Sequence, residues 1–260
     1  MHPSFKKSKI FTLLALALMS YFFTLPTVMF HGTLTEVHED SFNADESLAD
    51  ETWNYYNSGR YKSISTPKDA HNNLTKMIEA GSEIGVASTP IWYVSLEAPN
   101  YPKEAFPEGI PVYFHFDGFS GEVHEMNTIN HYIGMDPMWR GGQFERYVSA
   151  YALLLMTLVF IYFMAYNSKF LTLLMFIPVS LPILFLADYA YWLYWFGHNL
   201  HDWGAFYIKP FMPTVFGDGK VAQFITHSYP TSGYYVLVAI SLLSLFAILA
   251  KKKALNAINA

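Results

Sequence analysis

The sequence predicts an α-helical membrane protein with four transmembrane helices and a small β-rich (α+β) extracytoplasmic domain. The chain is 52% hydrophobic and only 14% charged, whereas soluble domains carry roughly 25% charged residues. Four apolar runs have the length of membrane spans. The longest polar segment between them contains stretches that alternate in hydrophobicity as β-strands do.

The four predicted spans are residues 10–30, 147–166, 170–196 and 234–250. At about 1.5 Å per residue, a run of about 20 residues crosses ~30 Å of hydrocarbon. We expect Pro178 and Pro182 to kink the third span.

The first run, residues 10–30, is also open to interpretation as a cleaved signal peptide. The apolar region of a signal peptide is normally ~7–15 residues long and is followed by small residues. This run is longer and ends in Thr27, Val28, Met29 and Phe30. The sequence therefore favours an uncleaved anchor helix.

Basic residues cluster at one side of the predicted spans. They are Lys6, Lys7, Lys9, Lys169, Lys251, Lys252 and Lys253. The positive-inside rule places this side, and both termini, in the cytoplasm. The predicted order is a cytoplasmic N-terminus with an anchor (1–30), an acidic outer domain (31–146), spans two and three (147–196), an outer loop rich in His, Pro and Gly (197–232), and span four with a basic tail (233–260).

The outer domain carries 18 acidic residues against 7 basic ones. Residues 36–51 are acidic with few apolar positions and predict a flexible tether. Residues 70–80 fit a short helix, and residues 91–98 and 110–117 alternate as strands.

Potential copper ligands are concentrated between residues 124 and 138. The stretch combines two histidines with three methionines, namely His124, Met126, His131, Met135 and Met138. Imidazole and thioether groups suit copper, and thioethers favour Cu(I). On a helix, His124, His131 and Met135 share one face, although Gly134 and Pro137 predict that the helix ends there. The alternative interpretation is that the methionines are packing residues and the histidines are surface groups.

Three further histidines lie in the second outer segment. His198 and His201 have an H-x-x-H spacing that puts two imidazoles on adjacent turns of a helix, and Asp202 is a candidate acceptor that orients one of them. His227 completes the candidate metal set, although exposed histidines beside aromatic residues are also common at membrane interfaces. The chain has no cysteine, which excludes covalent c-type haem and cysteine-held iron–sulfur clusters. Copper is therefore the one cofactor that the sequence suggests.

Asp188 is a carboxylate near the outer end of the third predicted span. Acidic residues at membrane depth are costly and are usually paired or functional. On a helical wheel Trp192 and Trp195 lie on the same side as Asp188, which predicts a polar, aromatic face suited to a quinol. The alternative is an aspartate that extends to the lipid headgroups.

Three stretches carry a resemblance to a known family. They are INHYIGM (129–135), WFGHNLHDWG (195–204) and KPFMPTVFGDGKVAQFITHSYP (209–230). These stretches resemble the NosB-like proteins, small integral-membrane proteins encoded with nitrous oxide reductases of the Sec-exported type. The resemblance implies an accessory, non-enzymatic role around a copper enzyme outside the cytoplasmic membrane. It assigns no catalytic residues.

Three hypotheses follow for function. The first is an inner-membrane accessory protein, with its main domain in the periplasm, that supports a copper oxidoreductase of nitrous oxide respiration through copper handling, maturation or electron supply. The second is a quinol-interacting electron-transfer subunit, and the third is a structural anchor for a periplasmic partner. The expected partners are membrane lipid and a periplasmic copper enzyme or other membrane accessory proteins, and no nucleic acid.

Overall fold

The computed structural model of the chain describes residues 3–22, 89–99, 106, 108–116 and 118–259, except 203, 205 and 206. The predicted tether at 36–51 and the predicted helix at 70–80 lie outside these residues. The side chains of His124 and His131 also lie outside the described part, although their backbone belongs to it.

The described residues form helices and one sheet. The helices are α1 (Pro3–Met19), α2 (Val123–Ile133), α3 (Gln143–Ala165), α4 (Lys169–Leu174), α5 (Phe176–His198) and α6 (Ser232–Asn259). The strands are β1 (Trp92–Glu97), β2 (Ile110–Phe114), β3 (Phe119–Gly121), β4 (Gly217–Val221) and β5 (Phe224–Pro230). Short 3-10 turns at Ser20–Phe22 and Met138–Arg140 follow α1 and precede α3.

Two helical segments of the described chain are long and apolar enough to cross a membrane, namely Lys169–His198 and Ser232–Ile258. A third candidate is α3, which bends by 44° between Ser149 and Tyr151. The prediction of membrane-spanning helices joined to an α+β fold is therefore confirmed in this coarser form. A total of four spans stays a prediction.

The basic residues lie at one end of the helix bundle. The hydroxyl of Ser8, near the start of α1, donates to the carbonyl oxygen of Ala247 over 2.8 Å. The ammonium group of Lys251 donates to the carbonyl oxygens of Phe163 and Tyr166, where α3 ends. The start of α1, the end of α3 and the last turns of α6 are therefore neighbours, and the sheet lies at the opposite end.

The third predicted span breaks near its prolines. Between α4 and α5 the chain turns at Met175, whose N–H donates to Leu171 and Leu173. Pro178 has no N–H, so it cannot bond the carbonyl of Leu174 four residues earlier. The break therefore lies about one turn before Pro178, whereas Pro182 is accommodated inside α5.

The sheet has five antiparallel strands in the order β3-β2-β1-β5-β4. The central strand β1 pairs Trp92 with Phe114 of β2 on one side and with Pro230 of β5 on the other. Strands β1 and β2 confirm the strands predicted at 91–98 and 110–117. The two outer segments thus build one sheet together.

The prediction of residues 197–232 as a loop is wrong over β4 and β5. The buried face of β5 consists of Phe224, Thr226 and Ser228. Because two of these three residues are small and polar, the strand shows little alternation in hydropathy. Its identity depends on pairing with β1, about 130 residues earlier in the chain.

Aromatic packing fixes the sheet to the helices. The Trp92 ring lies 5.6 Å from the ring of Tyr189 on α5 and 5.2 Å from that of Tyr234 on α6, measured between centroids. Its indole N–H donates to the Ser228 hydroxyl over 2.8 Å. Gly233 lets the first turn of α6 approach Pro90, because a Cβ there would lie 2.3 Å from the Pro90 oxygen.

Candidate functional site

A cavity of about 390 Å³ lies between the sheet, α2, α3 and α5. Small-molecule sites typically occupy about 300–1,000 Å³, are mainly apolar and carry a few polar groups. The sheet contributes apolar wall residues that include Val94, Leu96, Val112, Phe114 and Phe224. The cavity therefore has the size and the lining of a site for a lipophilic molecule.

One stripe of α3 forms the opposite wall. Its residues recur every three or four positions and are Glu145, Val148, Ser149, Ala152, Leu153 and Met156. This spacing puts them on one face of a helix. Across the cavity, α5 contributes Leu181, Phe185, Asp188, Tyr189 and Trp192, among others. Facing stripes of α3 and α5 therefore enclose the membrane side of the cavity.

The polar end of the cavity is formed by Glu145, Asp188 and Trp192. The carboxyl group of Asp188 faces the side chains of both Glu145 and Trp192. Glu145 Oε2 and Trp192 Nε1 are buried beside this carboxyl group, but neither makes a hydrogen bond of good geometry within the described residues. A Cβ placed on Gly142 would lie 3.8 Å from Glu145 Oε2 and 4.0 Å from Trp192 Nε1. An acceptor and a donor that lack a hydrogen bond of good geometry thus lie beside Asp188 and border the same small space.

This polar end lies about one membrane thickness along the helix from Lys169. From Lys169 to Asp188 the chain covers 20 positions, which corresponds to ~30 Å along a helix at about 1.5 Å per residue. Glu145 lies in the first turn of α3, and the remaining turns of α5 pack against the sheet. Buried polar atoms at this level cost free energy unless they are hydrogen-bonded.

The predicted face of Asp188, Trp192 and Trp195 is present in part. Asp188 and Trp192 both line the cavity. Trp195 does not line it and instead packs its ring on Trp192 and Phe196, with centroid distances of 5.6 Å and 5.2 Å. Asp188 is paired with an acidic neighbour on α3, and this arrangement favours the functional interpretation over an aspartate extended to the headgroups.

The three candidate methionines are core residues that also line the cavity. Met135 and Met138 are buried among Ile, Leu, Val and Phe side chains, and Met126 packs against both clusters. Helix α2 ends at Ile133, as predicted, because Gly134 adopts a φ of +85°. Met135 therefore does not continue the helical face of His124 and His131, which corrects the predicted common face.

His198 and His201 occupy different environments. His198 is the last residue of α5; its ring stacks on Tyr194 at 3.8 Å between centroids, and its Nδ1 lies 2.9 Å from the Tyr194 oxygen. His201 lies beyond the helix, because its N–H donates to the Gly134 oxygen over 2.8 Å. The prediction that both imidazoles share one helix is therefore wrong.

A buried carboxylate holds His201 in place. Asp136 Oδ2 lies 3.2 Å from His201 Nε2, and Asp136 Oδ1 lies 3.4 Å from Arg140 Nε. Asp202, the predicted orienting acceptor, is exposed. The acid that contacts His201 therefore comes from the first outer segment, and this contact ties the two segments together next to the cavity.

His227 lies between two carboxylates on the sheet. Its Nδ1 is 2.7 Å from Asp218 Oδ1, and its Nε2 is 3.0 Å from Glu97 Oε1. The hydrogen bond to Asp218, together with Glu97, raises the pKa of His227 above its usual value, and the same bond to His227 lowers the pKa of Asp218. Because carboxylates only accept hydrogen bonds, these two contacts favour the protonated imidazole, in which neither ring nitrogen has a lone pair for a metal.

The copper site that the sequence suggests stays untested, because the side chains of His124 and His131 lie outside the described residues. No group of three His, Cys, Asp or Glu side chains among them is arranged to hold a metal ion. His227 and His201 are engaged by carboxylates, and Met135 and Met138 are buried in apolar clusters. Copper binding by His124 and His131 stays a prediction.

Sequence reasoning missed Glu145, Asp136 and Glu97, the carboxylates that define these arrangements. Glu145 could have been found from the sequence. Consecutive spans run in opposite directions, so an acid at the start of the second span lies at the same level as Asp188 near the end of the third. Asp136 and Glu97 had none, because their partners His201 and His227 lie 65 and 130 residues further along the chain.

Comparisons with family models, with curated proteins and with solved structures gave no match for this chain.

Proposed function

We propose that the protein is an accessory membrane protein that binds a lipophilic, membrane-soluble ligand and thereby supports an extracytoplasmic copper oxidoreductase. The cavity with its polar end at Glu145, Asp188 and Trp192 supports ligand binding. The resemblance of residues 129–135 and 195–230 to NosB-like proteins supports the link to nitrous oxide respiration. Electron supply from the membrane is the form of support that a lipophilic ligand allows.

The chain itself contributes binding and orientation. It has no cysteine, and the histidines described in α5 and the sheet are engaged by neighbouring groups. Oxidation of a bound two-electron carrier would therefore deliver two electrons to a redox centre in the partner enzyme and release two protons to the solvent. Copper handling is a second role for the same accessory protein; it depends on His124 and His131, and no contact among the described side chains favours it.

Filling the cavity tests the proposed function. Ala152 lies in the middle of the α3 stripe, so Ala152→Trp places a large ring inside the cavity. We expect purified wild-type protein in phosphatidylcholine nanodiscs to retain at least one of three probes, decylubiquinol, decylubiquinone or oleate, and the variant to retain none. In cells that respire nitrous oxide, the variant should slow respiration while the reductase keeps its copper.

The matched control for this test is Leu154→Trp. Leu154 is 56% exposed and does not line the cavity, and the helical period puts it on the face of α3 opposite the cavity stripe. Binding of all probes by Ala152→Trp as tightly as by Leu154→Trp would contradict a ligand in the cavity. Loss of copper from the reductase in cells carrying Ala152→Trp would favour maturation over electron supply.

We also propose that both termini lie in the cytoplasm and that the sheet lies in the periplasm of an inner-membrane protein. The grouping of Lys251 with the ends of α1 and α3 supports this orientation. Because the chain has no cysteine, each introduced cysteine is unique. A membrane-impermeant maleimide applied to intact spheroplasts should label Lys220→Cys on β4 and leave Lys252→Cys on α6 unlabelled. The opposite labelling pattern would reverse the orientation.

A further inference from the structure

The polar end of the cavity discriminates between chemical classes of lipophilic ligand. We propose that the ligand is a quinol, a six-membered ring with two hydroxyl groups and an apolar substituent. This inference rests on the proposed function, since it names the ligand of the same cavity. Three features of the cavity support a quinol, namely the charge of its polar end, the hydrogen-bonding atoms there and the shape of its walls.

The charge at this end disfavours anionic lipids. Glu145 and Asp188 face each other, and the described lining of the cavity includes no lysine or arginine. A fatty-acid carboxylate or a phospholipid phosphate placed here would meet like charge in a poorly hydrated space, where electrostatic repulsion is strong. A neutral headgroup avoids this repulsion.

The two atoms without a hydrogen bond of good geometry favour a group that both donates and accepts hydrogen bonds. Glu145 Oε2 is an acceptor and Trp192 Nε1 is a donor, and both border the space above Gly142. A hydroxyl group satisfies both atoms, because its hydrogen binds the carboxylate and its oxygen accepts from the indole. The carbonyl oxygen of a quinone satisfies Trp192 alone and leaves Glu145 Oε2 without a partner, at a cost in free energy. The site therefore favours the reduced form of the ring.

The walls suit a flat ring with an apolar tail. The aromatic side chains of Phe185, Tyr189 and Phe196 line the cavity on the same helix as Trp192. Further along α3 and α5 toward the membrane, Leu153, Met156 and Leu181 provide an apolar continuation. Aromatic rings pack favourably against one another in offset or edge-to-face arrangements. A ring at the polar end with its tail directed into the bilayer therefore matches the cavity.

The test compares ligands on the full chain in phosphatidylcholine nanodiscs. The bound fraction of tritiated decylubiquinol, kept reduced under argon, is measured alongside decylubiquinone and oleate. We expect decylubiquinol to bind at least about tenfold more tightly than the other two. The variant Glu145→Gln should weaken decylubiquinol binding about tenfold, as expected for loss of a hydrogen bond to a charged acceptor.

The control is Glu97→Gln, the same chemical change at a carboxylate that pairs with His227 and does not line the cavity. It should leave all three affinities unchanged. The quinol assignment would be overturned if oleate or decylubiquinone bound as tightly as decylubiquinol. It would also be overturned if Glu145→Gln bound decylubiquinol as tightly as the wild type does. Either result would leave the proposal of a lipophilic ligand in the cavity intact. Failure of wild-type protein to retain any of the three probes would instead overturn the proposed function.

Discussion

Replacing Trp92 with alanine is expected to lower the free energy of unfolding by about 3–5 kcal/mol, the range found for large aromatic residues removed from a core. Trp92 is 1% exposed and touches α5 through Phe185 and Tyr189, and α6 through Tyr234. These three rings belong to α5 and α6, so the positions of the helices limit how far the rings can move into the resulting space. Unfolding of the purified protein in detergent, followed by near-ultraviolet circular dichroism, measures the change.

Two controls separate packing from other effects of this change. Trp92→Phe keeps a ring but loses the hydrogen bond to Ser228, so it should cost about 1 kcal/mol for that bond plus a smaller packing loss. Tyr207→Ala removes an aromatic side chain that is 90% exposed and should change stability by less than about 0.5 kcal/mol. Equal effects of Trp92→Ala and Tyr207→Ala would show that the sheet does not depend on this contact.

Substitution of Gly134 should separate the two outer segments. Gly134 has a φ of +85°, and a Cβ on it would lie 2.5 Å from the backbone oxygen of His201. The left-handed conformation alone costs about 1–2 kcal/mol for a residue with a side chain. The clash adds to this cost, because relieving it moves the His201 backbone and breaks the hydrogen bond from His201 N–H to the Gly134 oxygen. We expect Gly134→Ala to destabilise the protein by about 3 kcal/mol or more.

Gly217→Ala is the matched control for this substitution. Gly217 has nearly the same φ, +86°, but a Cβ there would have nothing within 4 Å. Its replacement therefore measures the conformational cost without a clash, and it should cost only about 1–2 kcal/mol. Limited proteolysis between residues 199 and 216 should increase for Gly134→Ala and stay unchanged for Gly217→Ala. Similar stability of the two variants would show that the junction at Gly134 tolerates movement.

These two contacts matter for the site because both hold a wall of the cavity. Trp92 packs on Tyr189, a cavity residue of α5, and Gly134 lies between Ile133 and Met135, which line the cavity from the α2 side. Loss of either contact should therefore reduce ligand binding as well as stability. Ala152→Trp differs from both, because it fills the cavity without removing a contact between the sheet and the helices.

Local features of the sequence were predictable where a short stretch carries its own physical signal. The end of α2 at Gly134 and the break before Pro178 follow from backbone chemistry, since glycine permits a positive φ and proline lacks an N–H. Strands β1 and β2 alternate clearly enough to be recognised. The β4–β5 hairpin carries no such local signal. Its two-residue turn is Ala222–Gln223, and Ala222 has a φ of +52°, where glycine or asparagine is the usual residue.

In the candidate site, too, some features are predictable from the sequence and others depend on the tertiary structure. Asp188 and Trp192 are one turn apart on a helix, so the sequence alone predicts that they share a face. Their partner Glu145 lies on another helix, and only the tertiary structure, which sets α3 across the cavity from α5, brings it close. The methionines and histidines of residues 124–138 suggested copper by composition, but burial of Met135 and Met138 depends on the sheet and on α2.

By itself the sequence determined the membrane character of the chain, the grouping of its basic residues and the two central strands, because apolar length, charge and alternation are local properties. Tertiary structure alone decided that both outer segments form one sheet and that Glu145 meets Asp188. It also decided that His201 and His227 are held by carboxylates. These arrangements join residues that are 43 to 138 positions apart, and at such separations the pairing energy depends on neighbours that no local pattern encodes.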